Sequence, residues 1–146
     1  MGSARAIEKM VVNVPRDRFF EIITDFEKLP EFIPELDKVE LVRTSGETRT
    51  VTYSIMLLGR AISYTLELTN QPPGQVTWKL LKGDFMKQNS GRWQLEEIDA
   101  NTTAVTYELE MAFPMLVPSA VVSKLQENSL PKLMAQYKAR AESLHG

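Results

Sequence analysis

The chain reads as an α+β domain: a curved, seven-stranded antiparallel sheet wrapped around a long C-terminal helix, with two short helices after strand 1. Three features predict this. From Leu36 to Phe113, apolar and polar residues alternate in runs separated by turn residues, the period of strands with one covered face. From about Val117 to Leu144 the period changes to 3.6 residues, which marks an amphipathic helix. Between the first strand and this region, Phe19 to Ile33 keep a one-sided apolar pattern interrupted by prolines.

Ala6–Val14 opens the chain as a strand that is partly apolar on both faces. Asn13-Val14-Pro15 then starts a helix, because proline is tolerated in a first turn. Phe19, Ile22, Ile23 and Phe26 form its apolar stripe. Pro30 and Pro34 cannot both sit inside one long helix, so Glu27–Glu35 is expected to form a second short helix or helical turns.

The meander begins at Leu36. Ser45-Gly46, Gly59-Arg60, Gln71-Pro72-Pro73-Gly74, Gly83-Asp84 and Asp99-Ala100-Asn101 mark its turns. The strands between them carry Val39 and Leu41, then Val51, Tyr53 and Ile55, then Ile62, Tyr64 and Leu66. Val76, Trp78 and Leu80 follow, then Trp93 and Leu95 on a sixth strand from about Phe85 to Glu96, and last Val105, Tyr107 and Leu109. Six consecutive strands with tight turns specify an antiparallel order. Strand periodicity places Val51, Tyr53, Ile62, Tyr64, Leu66, Val105, Tyr107 and Leu109 towards the helix. It places Thr52, Ser63, Thr65, Thr106 and Glu108 away from it.

The C-terminal helix, with Val117, Val121, Leu125, Leu133, Tyr137 and Leu144 near one stripe, would run about 40 Å. Pro131 is expected to kink it. A strongly bent sheet cannot lie flush along a straight helix, so a cavity is expected between them.

All 146 residues are read as a single domain, long enough to bury its own core without staples. Its 43% hydrophobic and 25% charged residues are those of an ordinary globular protein. The net charge of −2 gives no general attraction for a polyanion, so no nucleic-acid partner is expected. The absence of cysteine removes disulfides, thiolate nucleophiles and thiolate metal ligands. The single histidine, His145, lies next to the C-terminus, a poor place for a positioned general base or a metal ligand. No metal and no cofactor are expected. The N-terminal residues lack the apolar run of a signal peptide, and no apolar stretch approaches the roughly 20 residues that span a bilayer. The expected location is the cytoplasm. Residues 111–122 are nearly uncharged, and they either pack the strand-to-helix junction or form an apolar lip that touches a membrane transiently.

The element order resembles the helix-grip fold of the START/Bet v 1-like (SRPBCC) superfamily. Four segments are similar to its polyketide cyclase/dehydrase and Coq10-like branch. They are Asp25-Phe26-Glu27-Lys28-Leu29-Pro30-Glu31-Phe32-Ile33-Pro34, Gly83-x-Phe85 followed by Gly91-Arg92-Trp93-Gln94-Leu95, the alternation from Val105 to Phe113, and the tail Met134–Ala141. The resemblance covers nearly the whole chain and implies an internal ligand cavity without metal or cofactor.

The expected cavity residues are Tyr53, Ile55, Ile62, Tyr64, Leu66, Trp78, Trp93, Tyr107, Leu109, Val121 and Leu125. The tyrosine hydroxyls either find backbone partners or point into the cavity and orient a polar group on the ligand. Two functions fit. One is binding of a hydrophobic small molecule such as a lipid, isoprenoid, quinone or polyketide-like compound. The other, implied by the resemblance, is aromatase/cyclase chemistry on a poly-β-ketone, for which Arg60, Tyr64 and Tyr107 are the candidate catalytic residues. Binding is the preferred reading, because no well-ordered segment offers a base with a pKa near neutrality.

Overall fold

The computed structural model describes residues 2–57, 59–84, 86–113, 120, 123 and 129–145. Strand β1 (Gly2–Val12) leads into helix α1 (Arg16–Thr24) and a 3₁₀ helix (Phe26–Glu31). The meander follows as β2 (Leu36–Ser45), β3 (Thr48–Leu57), β4 (Arg60–Gln71), β5 (Gln75–Gly83), β6 (Gln88–Asp99) and β7 (Thr102–Phe113). Helix α2 (Leu130–His145) closes the chain. The seven strands form one antiparallel sheet in the order β1-β7-β6-β5-β4-β3-β2. The first strand thus pairs with the last, and α1 and the 3₁₀ helix carry the chain across to the far edge.

Several expected boundaries shift. β1 ends at Val12, and Pro15 precedes α1 rather than opening its first turn; its extended φ of −61° and ψ of 150° still steer the chain into the helix. Pro30 is accommodated in the 3₁₀ helix. β6 starts at Gln88, later than its apolar pattern suggested, because Asp84 turns back on β4: its N–H donates to the Ser63 carbonyl at 2.9 Å, and its Oδ2 accepts from the Ser63 N–H at 3.1 Å. Of the 117–144 helix, α2 supplies the part from Leu130, and Ala120 and Ser123 also have helical backbone. The kink expected at Pro131 depends on residues 124–128, which lie outside the described residues.

The strand periodicity carries through to burial. Val51, Tyr53, Ile62, Leu66, Val105 and Tyr107 are buried, and Tyr64 and Leu109 are half-buried. Of the residues expected to face away, Ser63 is exposed and Thr52, Thr106 and Glu108 are half-buried, but Thr65 is buried. Thr65 stands opposite Thr52, and their hydroxyls hydrogen-bond at 2.8 Å. The outer face is therefore partly closed by paired side chains rather than uniformly wet.

Gly46, with φ of 60°, and Gly59, with φ of 75°, make the turns on either side of β3, where a left-handed backbone favours glycine. On the inner face, Phe19 of α1, Trp93 of β6 and Tyr137 of α2 form the contact between helices and sheet. Trp93 meets Phe19 at 5.9 Å and Tyr137 at 4.9 Å between ring centroids, both edge to face. Thr103, fully buried, donates its hydroxyl to the Val14 carbonyl at 2.9 Å and ties the start of β7 to the β1–α1 connection.

Candidate ligand cavity between sheet and helix

The curved sheet and α2 leave a cavity of about 420 Å³. Its sheet wall carries Tyr53, Leu66, Leu68, Val76, Trp78, Trp93, Tyr107 and Leu109. Ile23, Phe26, Leu29 and Ile33 close one side, from α1 and the 3₁₀ segment, and Leu130, Leu133 and Tyr137 close the helix side. The helical side chains recur at three- and four-residue spacing, so a single face of each element reaches the cavity.

Half of these sheet-wall residues are aromatic. Tyr53 and Tyr64 stand opposite each other on β3 and β4 with rings stacked at 5.1 Å. Tyr107 contacts Trp93 at 4.6 Å and Trp78 at 5.4 Å. These contacts follow from register, since Trp93 is the cross-strand partner of Tyr107. Trp78 stands opposite Gly91, and a Cβ there would come within 2.5 Å of Trp78 Cζ2 and would also meet the Glu108 carbonyl oxygen. Glycine at 91 thus lets the indole lie against the neighbouring strand.

Polar groups are few. Asn89, buried on β6, accepts a hydrogen bond from Trp78 Nε1 at 3.0 Å. Glu35 accepts from Lys132 Nζ at 2.6 Å and from Gln136 Nε2 at 3.1 Å, which links the 3₁₀ segment to α2 beside the cavity. The Lys132 hydrogen bond holds the Glu35 carboxyl below its usual range, with a smaller contribution from Gln136. The chain has four tyrosines, Tyr53, Tyr64, Tyr107 and Tyr137, and Tyr53, Tyr107 and Tyr137 line the cavity. Burial pushes all four above the ordinary tyrosine pKa, Tyr53, Tyr107 and Tyr137 with added repulsion from their tyrosine neighbours. They are neutral donors and acceptors at physiological pH.

Of the residues expected at the cavity from sequence, Tyr53, Leu66, Trp78, Trp93, Tyr107 and Leu109 line it. Ile55 and Ile62 are placed elsewhere, in a second apolar cluster with Met86 and Phe113. They share the face of Tyr53 and Tyr64 but lie further along the strands, past the end of the cavity. Tyr64 packs against both clusters and stacks on Tyr53. Val121 and Leu125 lie outside the described residues, as does the side chain of Arg60. Most of residues 111–122, the expected apolar lip, also lie outside them. Arg92 pairs with Glu108 at 2.7 Å and is taken up by that ion pair. Sequence reasoning missed Asn89, Gln136 and Tyr137 as cavity residues, among others, and all of the lining from α1 and the 3₁₀ segment. Tyr137 was legible as part of the helical stripe, but nothing in the local pattern marked Asn89 in a polar run. Among the described residues, no group of three acidic or histidine side chains is close enough to hold a metal ion.

No curated protein sequence matches the chain. Solved structures are similar to it in fold. An aromatase/cyclase, Zhui from Streptomyces sp. R1128, superposes with a TM-score of 0.82 at 18% identity, over 96% of this chain and 94% of that one. A START superfamily protein from Mycobacterium smegmatis gives 0.84 at 20% identity, over 96% and 98%. The major latex-like protein 151 of Panax ginseng gives 0.70 at 15% identity, over 99% of both chains. A sequence profile described as polyketide cyclase/dehydrase and lipid transport matches residues 12–138. That match covers most of the chain and places the protein: it belongs to the polyketide cyclase/dehydrase and lipid transport family.

Proposed function

We propose that the chain is a binding protein for a neutral, hydrophobic small molecule, a lipid, isoprenoid, quinone or polyketide-like compound, held between the sheet and α2. The observation that carries this reading is the cavity of about 420 Å³, walled by aromatic and aliphatic side chains, with the tyrosines Tyr53, Tyr107 and Tyr137 among them. Tyr53, Leu66, Trp78, Trp93, Tyr107 and Leu109 would contact the ligand, with Tyr64 supporting Tyr53. Burying about 400 Å² of apolar ligand surface contributes roughly 10 kcal/mol. Association and ordering costs remove several of these, which leaves about micromolar affinity. A cytoplasmic setting completes the proposal.

The second reading is aromatase/cyclase chemistry on a poly-β-ketone, favoured by the family description and by the likeness to an aromatase/cyclase. It needs a proton acceptor matched to neutral pH. The tyrosines at the cavity are driven upward and Glu35 downward, both away from neutrality, which supports binding over base catalysis. Neutral Tyr64 and Tyr107 could still donate hydrogen bonds to an enolate, and Arg60 would hold its charge.

Native mass spectrometry of protein from its own host should show a co-purified neutral apolar compound at one per chain. A poly-β-ketone assay should show no turnover. Turnover that falls about a hundredfold in Arg60→Ala while ligand binding persists would replace this reading with the cyclase one.

A further inference from the structure

Among the described residues, Asn89 is the one amide in the sheet wall of the cavity, and its hydrogen bond to Trp78 fixes its orientation. An indole N–H can only donate, so the Asn89 atom that meets Trp78 Nε1 at 3.0 Å must be the carbonyl oxygen. The amide nitrogen, Nδ2, therefore faces away from Trp78. Its one partner among the described residues is Met86 Sδ at 4.0 Å, a long contact to a weak acceptor. An amide nitrogen has two N–H donors, so at least one has no partner among the described residues. The residue is only 6% exposed, so water is a poor substitute partner.

The surroundings hold this arrangement in place. Trp78 can lie against β6 because Gly91 has no side chain, and its tilted contact with Tyr107 supports the ring from the other side. Beyond the Trp78–Gly91 pair the ladder between β5 and β6 ends, so the Trp78–Asn89 hydrogen bond is a side-chain tie where the two strands part. The tyrosine hydroxyls differ in kind: each can rotate, and each can donate or accept. Asn89 offers a donor of set direction. The charged groups at the cavity, Glu35 and Lys132, are paired with each other.

Resting on the binding function above, we propose that Asn89 is the specificity-determining residue of the cavity. Its Nδ2 donates to an uncharged acceptor oxygen, a ketone, quinone or ester carbonyl, on an otherwise apolar ligand. Pure hydrocarbons of the same shape leave that donor unpaired and bind less well.

The test uses an isosteric pair, 2-acetylnaphthalene and 2-isopropenylnaphthalene, each displacing the neutral dye N-phenyl-1-naphthylamine. The variant is the double substitution Trp78→Phe with Asn89→Leu. Removing both partners avoids leaving a bare indole N–H that could itself donate to the ketone. The ratio of ketone to hydrocarbon affinity should fall about fivefold from wild type to the double variant, the size of one neutral hydrogen bond. An unchanged ratio, with dye and both probes still bound, overturns the role of Asn89 and leaves the binding reading standing. Failure of wild type to bind the dye or either probe overturns both. Should the double variant not fold, proton–nitrogen spectra of wild type decide: the Asn89 side-chain amide proton should move downfield with the ketone and not with the hydrocarbon. Equal shifts with both probes would overturn the assignment.

Discussion

Between pH 10 and pH 11 the folded protein should lose stability steeply and unfold in one transition that also ionises its tyrosines. All four tyrosines of the chain are held above their ordinary pKa, chiefly by burial. In the unfolded chain they ionise near pH 10. Above that pH the unfolded state has released protons that the folded state keeps, so rising pH favours unfolding. The stabilisation is fully present below pH 10 and is lost as pH climbs towards the raised folded values. Four such groups together cost about 5 kcal/mol by pH 11, a large share of a typical domain's stability. Tyrosinate absorbance at 295 nm should stay flat to pH 10 and then rise together with loss of far-ultraviolet circular dichroism. Stepwise tyrosinate absorbance near pH 10 in a folded protein would mean that the hydroxyls sit in water. The cavity would then be wet and the argument against a tyrosine base would lose its footing.

Phe19→Ala should lower stability by about 3–5 kcal/mol. Phe19 is fully buried and joins α1 to both the sheet and α2, meeting Trp93 at 5.9 Å and Tyr137 at 6.5 Å between ring centroids. Alanine would leave a void that the rigid aromatic neighbours cannot fill, and the edge-to-face contacts would go with it. For a chain of this length the melting temperature should fall by roughly 10 °C. Leu144→Ala, at a position 54% exposed near the end of α2, should change it by only a degree or two. Similar losses in the two variants would show that the helices are not held to the sheet through the Phe19–Trp93–Tyr137 contacts.

The architecture was legible because alternation and helical spacing are written residue by residue. Tyr53, Leu66, Trp93 and Tyr107 fall on the inner face by parity alone, and their cross-strand contacts follow once neighbouring strands are aligned. Depth along a strand is not written that way. Ile55 and Ile62 share the parity of Tyr53 and Tyr64, yet they join the cluster of Met86 and Phe113, because the cavity ends before it reaches them. Thr65 reads as an outer polar residue and is buried, because its hydroxyl has a cross-strand partner in Thr52. Asn89 was not legible. Its place in the cavity wall depends on Trp78, eleven positions earlier, lying over Gly91, a relation that only the register of β5 and β6 creates.

The central claim is that an apolar ligand enters the space between sheet and helix. It is tested most directly by titrating N-phenyl-1-naphthylamine into wild type and Leu109→Trp. Leu109 lies half-buried on β7 at the cavity wall, so an indole there would occupy the space itself. Wild type should bind one dye per chain at micromolar concentration, with quenching of Trp78 and Trp93 emission, since both indoles face the cavity. Leu109→Trp should keep the melting temperature within a few degrees, because the added ring fills existing space, and should lose about a hundredfold in dye affinity. Equal dye affinity in the two proteins, or no saturable binding to wild type, would contradict the account.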